Sequence, residues 1–262
     1  MSSGLQGVFL RRKPGIVEAM QWFRQSLFAG WVLVPLFCSH AQEAVDGAGD
    51  GKLATPVAGE PQLSLAEVNR TGLLPPDTKI LAQQAAEAFG KGDWNSARSA
   101  YTEMLELDGE NSLAWANLGA VEQQAGRTDE AVHCFEKSVH FNPQLSQSWV
   151  ALGLIASAQG DTYRAVSMLT RAIHEDPQDA RAHNHLAVTM QSLGWRDAAA
   201  LELQRAIELA PDYGIAHFNL ALMYLEQKPP ATELARRHYE KALALGVEKD
   251  DIVERRLRGR SE

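Results

Sequence analysis

Strand-like alternation of apolar and polar residues is missing from this chain of 262 residues, and so is every catalytic signature of fixed spacing. There is no His-Glu-x-x-His, no Gly-x-Ser-x-Gly and no Walker loop, so the chain reads as no enzyme and calls for no cofactor. Asp46-Gly47-Ala48-Gly49-Asp50-Gly51-Lys52 comes nearest to a phosphate or calcium loop. Asp46 stands where a phosphate loop needs its first glycine, Leu53 replaces the Ser or Thr, and Ala48 replaces a calcium ligand. Bases are outnumbered, 25 Lys and Arg against 33 Asp and Glu for a formal charge of -8, which argues against nucleic acid as the ligand and for a protein. Cysteine is scarce, with Cys38 in a segment expected to be removed and Cys134 alone, so the mature chain has no internal disulfide. The one apolar run, Leu27 to Phe37, falls short of the about 20 residues a membrane-spanning helix needs.

What the chain does have is a repeat. Trp115 returns as Trp149, Leu118 as Leu152, Leu186 and Leu220, Gly126 as Gly160 and Gly194, and Pro143 as Pro177 and Pro211, each at a step of 34. A fixed period of that size marks a solenoid built from one supersecondary unit. Within the unit from Ser112 to Pro143, Trp115, Leu118, Gly119 and Val121 or Glu122 fall at three- and four-residue spacing and predict a first helix. Gly126 would end it in the left-handed cap that glycine adopts cheaply. Thr128 is expected to cap a second helix, along which Ala131, Phe135 and Ser138 form the facing stripe, and Asn142-Pro143 stops it. Gly119 against Ala131 and Gly153 against Ala165 should let the two helices approach closely, with Trp115 and Phe135 filling the wedge. One such hairpin buries its apolar face only against a neighbouring copy.

The spacing of Trp115, Leu118, Gly119, Ala131, Phe135 and Pro143, repeated as Trp149, Leu152, Gly153, Ala165, Leu169, Ala172 and Pro177, resembles the tetratricopeptide repeat (TPR). The resemblance implies an all-α fold: an α-solenoid, a right-handed superhelix, of about five TPR hairpins at residues 78–111, 112–145, 146–179, 180–213 and 214–248. A capping helix and basic tail follow at 249–262. The outer copies depart from the pattern, with Ala85 and Gly109 in place of glycine and proline, and one extra residue around Pro229-Pro230. Asp250 or Asp251 is expected to cap the last helix, laying Ile252, Val253 and Leu257 over the final hairpin.

The resemblance also implies that the first helices line a concave groove for an extended peptide or a partner helix. The groove candidates are Asn117, Val150, Leu154, Asn184, His185, Val188, Phe218, Asn219 and Leu222, flanked by the small Ala82, Ala86, Ala116 and Ala120. Asn117 and Asn219 match asparagines that hydrogen-bond a bound backbone, while Gln83 and Ala151 break that ladder. The basic clamp by which some relatives hold a carboxyl terminus is not reproduced, because Val150 and Leu154 occupy its places. The expected ligand is therefore apolar, though the same residues could equally pack between neighbouring hairpins. His183, His185 and His217 raise the question of a metal. His183 and His217 stand where Trp115 and Trp149 stand, and His183 and His185, two apart on one helix, do not face each other. They read as structural histidines, and no metal site is expected.

At the amino-terminal end, Arg11, Arg12, Lys13 and Arg24 precede the apolar run and Ser39-His40-Ala41 offers a cleavage site, the anatomy of a signal peptide over 1–41. Met20 is an alternative start, and an uncleaved anchor would be the sole membrane attachment. Residues 42–77 read as a Gly, Ala and Pro-rich tether. The functional expectation is a non-catalytic scaffold or adaptor in an exported compartment, periplasmic or secreted, with a protein or peptide partner. Pilus-biogenesis and outer-membrane assembly proteins are analogues by fold, and a regulatory or substrate-presenting subunit of an exported enzyme is the second expectation.

Overall fold

The computed structural model describes residues 78–259; the signal-type segment, the tether and the last three residues lie outside the described residues. Every element among the described residues is a helix. Five hairpins follow in order: α1 (Lys79–Gly90) with α2 (Trp94–Leu107), α3 (Ser112–Gln124) with α4 (Thr128–Phe141), α5 (Ser146–Ala158) with α6 (Thr162–Glu175), α7 (Ala180–Ser192) with α8 (Arg196–Leu209), and α9 (Gly214–Glu226) with α10 (Thr232–Ala244). A short α11 (Asp251–Leu257) closes the array. It is an α-solenoid in which odd-numbered helices are the first, and even-numbered helices to α10 the second, of each pair.

Glycine punctuates the pairs for a conformational reason. Gly126, Gly160 and Gly194 each turn the chain at φ +77, +83 and +81°, a region costly for any residue with a Cβ. Asp93 and Asp161 then cap α2 and α6, accepting from the backbone N–H of Ser96 and Arg164. Hairpin two departs from the expected cap. Thr128 is the first helical residue of α4, and Arg127 occupies the cap position without a side-chain cap bond, its guanidinium turned instead onto Glu122. Hairpin five has no glycine at its turn, and α10 begins 36 residues after α8, so the insertion is two residues rather than the expected one.

The close crossings involve the predicted glycines. Ala165 O would lie 3.4 Å from a Cβ on Gly153, as expected, but the tightest neighbours are other residues, and Ala131 is not among the nearest to Gly119. A Cβ on Gly119 would lie 2.9 Å from the Phe135 ring, and one on Gly153 2.7 Å from Leu169 Cγ, one helical turn beyond Ala131 and Ala165. Between hairpins, Leu152 and Ile155 of α5 pack with Ala131, Phe135 and Val139 of α4, and Leu220 and Met223 of α9 pack with Ala199, Leu203 and Ala206 of α8. The matching α1 residues are Gln84 and Glu87, both exposed, so the first hairpin turns a solvated face outward. At the other end Asp250 caps α11 through the N–H groups of Ile252 and Val253, and its own N–H donates to Tyr239 Oη at 2.7 Å. Val253 and Leu257, four apart, are buried, whereas Ile252 lies off that stripe and is exposed, contrary to expectation.

Candidate binding groove

Each first helix carries a ring side chain at its fourth position in hairpins two to five, and that ring fixes the preceding loop. Trp115 Nε1 donates to Gly109 O and Trp149 Nε1 to Pro143 O, both at 2.8 Å. His183 Nε2 and His217 Nε2 meet Pro177 O and Pro211 O at 3.3 Å. The two histidines are structural pegs, as their register predicts. Their second nitrogens have partners that the sequence did not reveal: Glu202 for His183 at 2.6 Å, and His238 Nδ1 for His217 Nδ1 at 3.0 Å.

Next to these pegs, the candidate residues occupy the fifth, sixth and ninth positions of the first helices. Those positions fall into two sets. Asn117, Val150, Leu154, Asn184 and Phe218 are buried, with Val150 and Leu154 only 9% and 5% exposed. Phe218 joins Ala221, Leu225 and Tyr239 in the core of the last hairpin. Val188, Asn219 and Leu222 are half-buried and remain reachable from solvent, while His185 keeps part of its surface exposed with its Nδ1 enclosed.

Two polar links cross between hairpins four and five. Asn219 Nδ2 donates to Asn184 Oδ1 at 2.8 Å, and Gln191 Nε2 donates to Glu226 Oε2 at 2.9 Å. Both pairs span 35 residues, one more than the repeat, and that offset is the signal by which the second could have been found. Among the described residues hairpin two has no amide link of this kind; its links to neighbouring hairpins include Glu122 with Arg98, Glu136 with Arg164 and Ser138 with Ser148. Asn117 Nδ2 is buried and has no hydrogen-bond partner, a state that costs on the order of 1–3 kcal/mol unless an acceptor arrives. His185 Nδ1 is likewise shut away and unpartnered, and burial pushes the imidazole down to about 4, so the ring is neutral near pH 7.

Behind the groove, Glu122 is a carboxylate with 1% of its surface exposed, held by Arg98 of the preceding hairpin at 2.9 Å and by Arg127. It borders a shallow depression of about 470 Å³ with Asp129, Glu130, His133 and Cys134. Burial, aided by Glu122, pushes the Cys134 thiol up to about 12, which leaves it an inert apolar side chain. Among the described residues no group of three potential ligands is placed to hold a metal ion, and no helix is long and apolar enough to cross a membrane.

Stacked helical pairs with a first-helix face of small, apolar and amide side chains define a protein-interaction solenoid. Comparison with known proteins gives the family. The tetratricopeptide repeat profile matches residues 88–152 and 156–217, and a second tetratricopeptide repeat profile matches 192–248. These matches span more than half of the chain, which belongs to the tetratricopeptide repeat family. The crystal structure of MamA is 25% identical, with a TM-score of 0.55 over 62% of this chain and 93% of that one. PilF of Pseudomonas aeruginosa is 17% identical, with a TM-score of 0.61 over 66% of this chain and 78% of that one. YrrB, described as a TPR protein with an unusual peptide-binding site, is 20% identical, with a TM-score of 0.53 over 74% of this chain and 98% of that one. At their identities the last two share the fold alone. No curated protein matches the chain.

Proposed function

We propose that the chain is a non-catalytic adaptor that holds an extended peptide or helix of a partner protein along its first-helix face, in an exported compartment. The observation that carries this is the buried, unpartnered Nδ2 of Asn117 in hairpin two; at the same position of hairpin five the Asn219 amide is paired, donating to Asn184 of hairpin four. A peptide carbonyl would complete it. The half-buried Val188 and Leu222 offer apolar contact, and the neutral imidazole of His185, on the same helix as Val188, favours an uncharged segment. YrrB supports the mode only as a protein of the same fold. The exported compartment rests on the signal-type sequence of residues 1–41.

Screening a random peptide library against the full chain tests the groove. Apolar, uncharged peptides are expected among the binders, with Leu222→Asp and Asn117→Ala each weakening them by about tenfold or more. Binders indifferent to both substitutions would overturn the assignment. Fusing residues 1–41 to a reporter active only outside the cytosol tests the compartment, and an inactive fusion would refute it.

A further inference from the structure

Asn117, Ala151, His185 and Asn219 are the sixth residues of α3, α5, α7 and α9 and stand in one row, at steps of 34. Asn219 shows where that position leads, since its amide donates to Asn184, the fifth residue of the preceding first helix and 35 residues earlier. The same register leads from Asn117 to Ala82 and from His185 to Val150, again 35 residues back. Neither an alanine nor a valine side chain has a hydrogen-bonding atom. That accounts for two buried polar atoms without a partner, Asn117 Nδ2 and His185 Nδ1, while Ala151 between them needs none. Buried polar groups are ordinarily paired, so two orphans in one row of one face are places left for something outside the chain.

The spacing of these two groups decides what can meet both. They lie two hairpins apart, roughly 16–20 Å at the 8–10 Å usual for each step between packed helices. An extended chain rises about 3.3 Å per residue and covers that span with about five or six residues, each offering a backbone carbonyl and N–H. A helix spends those groups on itself. Only its first N–H groups and last carbonyls stay open, so its backbone cannot serve two points along its length. Asn117 is 8% exposed and His185 half-buried, and χ2 is a broad torsion in both, so a ring or amide rotation brings either nitrogen to the surface its side chain already shows.

We propose that the occupant of the groove is an extended, uncharged segment of a partner protein whose main chain pairs with Asn117 and with His185 at residues about five or six apart. This rests on the reading of the first-helix face as a binding groove, and it selects the extended form over the helix. Asn117 Nδ2 donates to one carbonyl of the segment. Further along, His185 Nδ1 accepts a backbone N–H in one neutral tautomer and donates to a carbonyl in the other. The half-buried Val188 and Leu222 meet apolar side chains of the same segment. His185 thereby becomes a second anchor of the groove, set by what the preceding hairpin lacks.

Two random libraries screened against the full chain test this, one of linear peptides and one of peptides stapled as helices. Linear binders are expected and stapled ones are not. In a linear binder, exchanging backbone amides for esters one at a time should weaken binding by about tenfold at two places about five or six residues apart. The loss at one place should vanish in His185→Phe, which keeps a ring and removes both nitrogens. At the other it should vanish in Ala82→Asn, which gives Asn117 an acceptor inside the protein, and in Asn117→Ala as the second variant there. Circular dichroism checks that all three remain helical. Binders that respond to Leu222→Asp but come only from the stapled library, or whose ester losses persist in His185→Phe, overturn the extended occupant and leave the groove standing. An absence of binders from both libraries overturns the groove and this inference together.

Discussion

Hairpins two and three and hairpins four and five solve the same packing problem with different chemistry. The first two use Trp115 and Trp149 as pegs and Gly119 and Gly153 at the crossing; the last two use His183 and His217 as pegs and Ala187 and Ala221 at the crossing. A large ring goes with no Cβ at the crossing, a small ring with one methyl group. All four rings reach a carbonyl six residues back. An indole N–H donates at any ordinary pH and has nothing further to satisfy. An imidazole brings a second nitrogen, and its needs fall on a neighbour. For His217 a neutral pair is satisfied in one way, with Nε2–H on Pro211 O and Nδ1 accepting from His238. Position in the repeat therefore fixes the shape of a side chain, while its acid-base behaviour is left to the second helix.

The largest effect should come from the one buried carboxylate of hairpin two, whose counterparts in hairpins four and five are Met190 and Tyr224. Replacing Arg98 and Arg127 together by Met strands Glu122 without a counter-charge, and about 3–5 kcal/mol of stability should be lost. Urea denaturation reads the loss. Adding Glu122→Met should recover most of it, and an unchanged midpoint in the double variant would mean that the carboxylate is not held by these ions.

Acid should separate the two pairs of hairpins next. His185 sits near 4 when folded and near 6.5 when unfolded, because burial disfavours its cation. Between these values the unfolded chain binds the extra proton, so stability is full above about pH 6.5 and falls as the pH drops toward 4, by on the order of 3 kcal/mol. His238 is also lowered, by burial and by His217, and acts with the same sign. His185→Gln should remove most of this acid loss. Hydrogen exchange at pH 5 should show hairpins four and five opening before hairpins two and three, and uniform opening would break the comparison. Smaller again, Gly119→Leu forces a side chain into the Phe135 ring and should cost about 1–3 kcal/mol by thermal melting. Ala187, at the same position in hairpin four, already accommodates a Cβ.

How much of this could be read beforehand follows from what each residue reports. The glycines at Gly126, Gly160 and Gly194 and the prolines at Pro143, Pro177 and Pro211 are backbone signals, and they placed the hairpins because a turn needs them wherever the chain goes next. His183 and His217 as pegs were legible from register alone. Glu202 and His238 were not, since a partner across the hairpin follows from helix rotation rather than spacing. The cap at Thr128 failed for a related reason: Arg127 is drawn to Glu122, and no propensity for capping reports that pull. Among the groove candidates the register placed all nine on first helices, but it could not grade their burial. Leu154 lies in the middle hairpin and is buried, whereas the matching Ala86 in the first hairpin is exposed; Val150 and its match Ala82 are buried alike.

The smallest test goes to the peg itself. Trp149→Phe keeps most of the ring and its contact with Arg171, whose guanidinium carbon lies 5.9 Å from the ring centroid, while it deletes the N–H that Pro143 O accepts. That bond lies at an exposed edge, so water can replace the donor, and the loss should be about 1 kcal/mol by urea denaturation at any pH. Trp149→His introduces the peg of hairpin four without its partner, since the residue at the position of Glu202 is Met168. Its loss at neutral pH should resemble that of the phenylalanine variant. A Trp149→His chain that gained stability on acidification would show that the peg carbonyl alone suffices to favour the cation, and the contrast between the hairpins would then lie in the ring and not in what faces it.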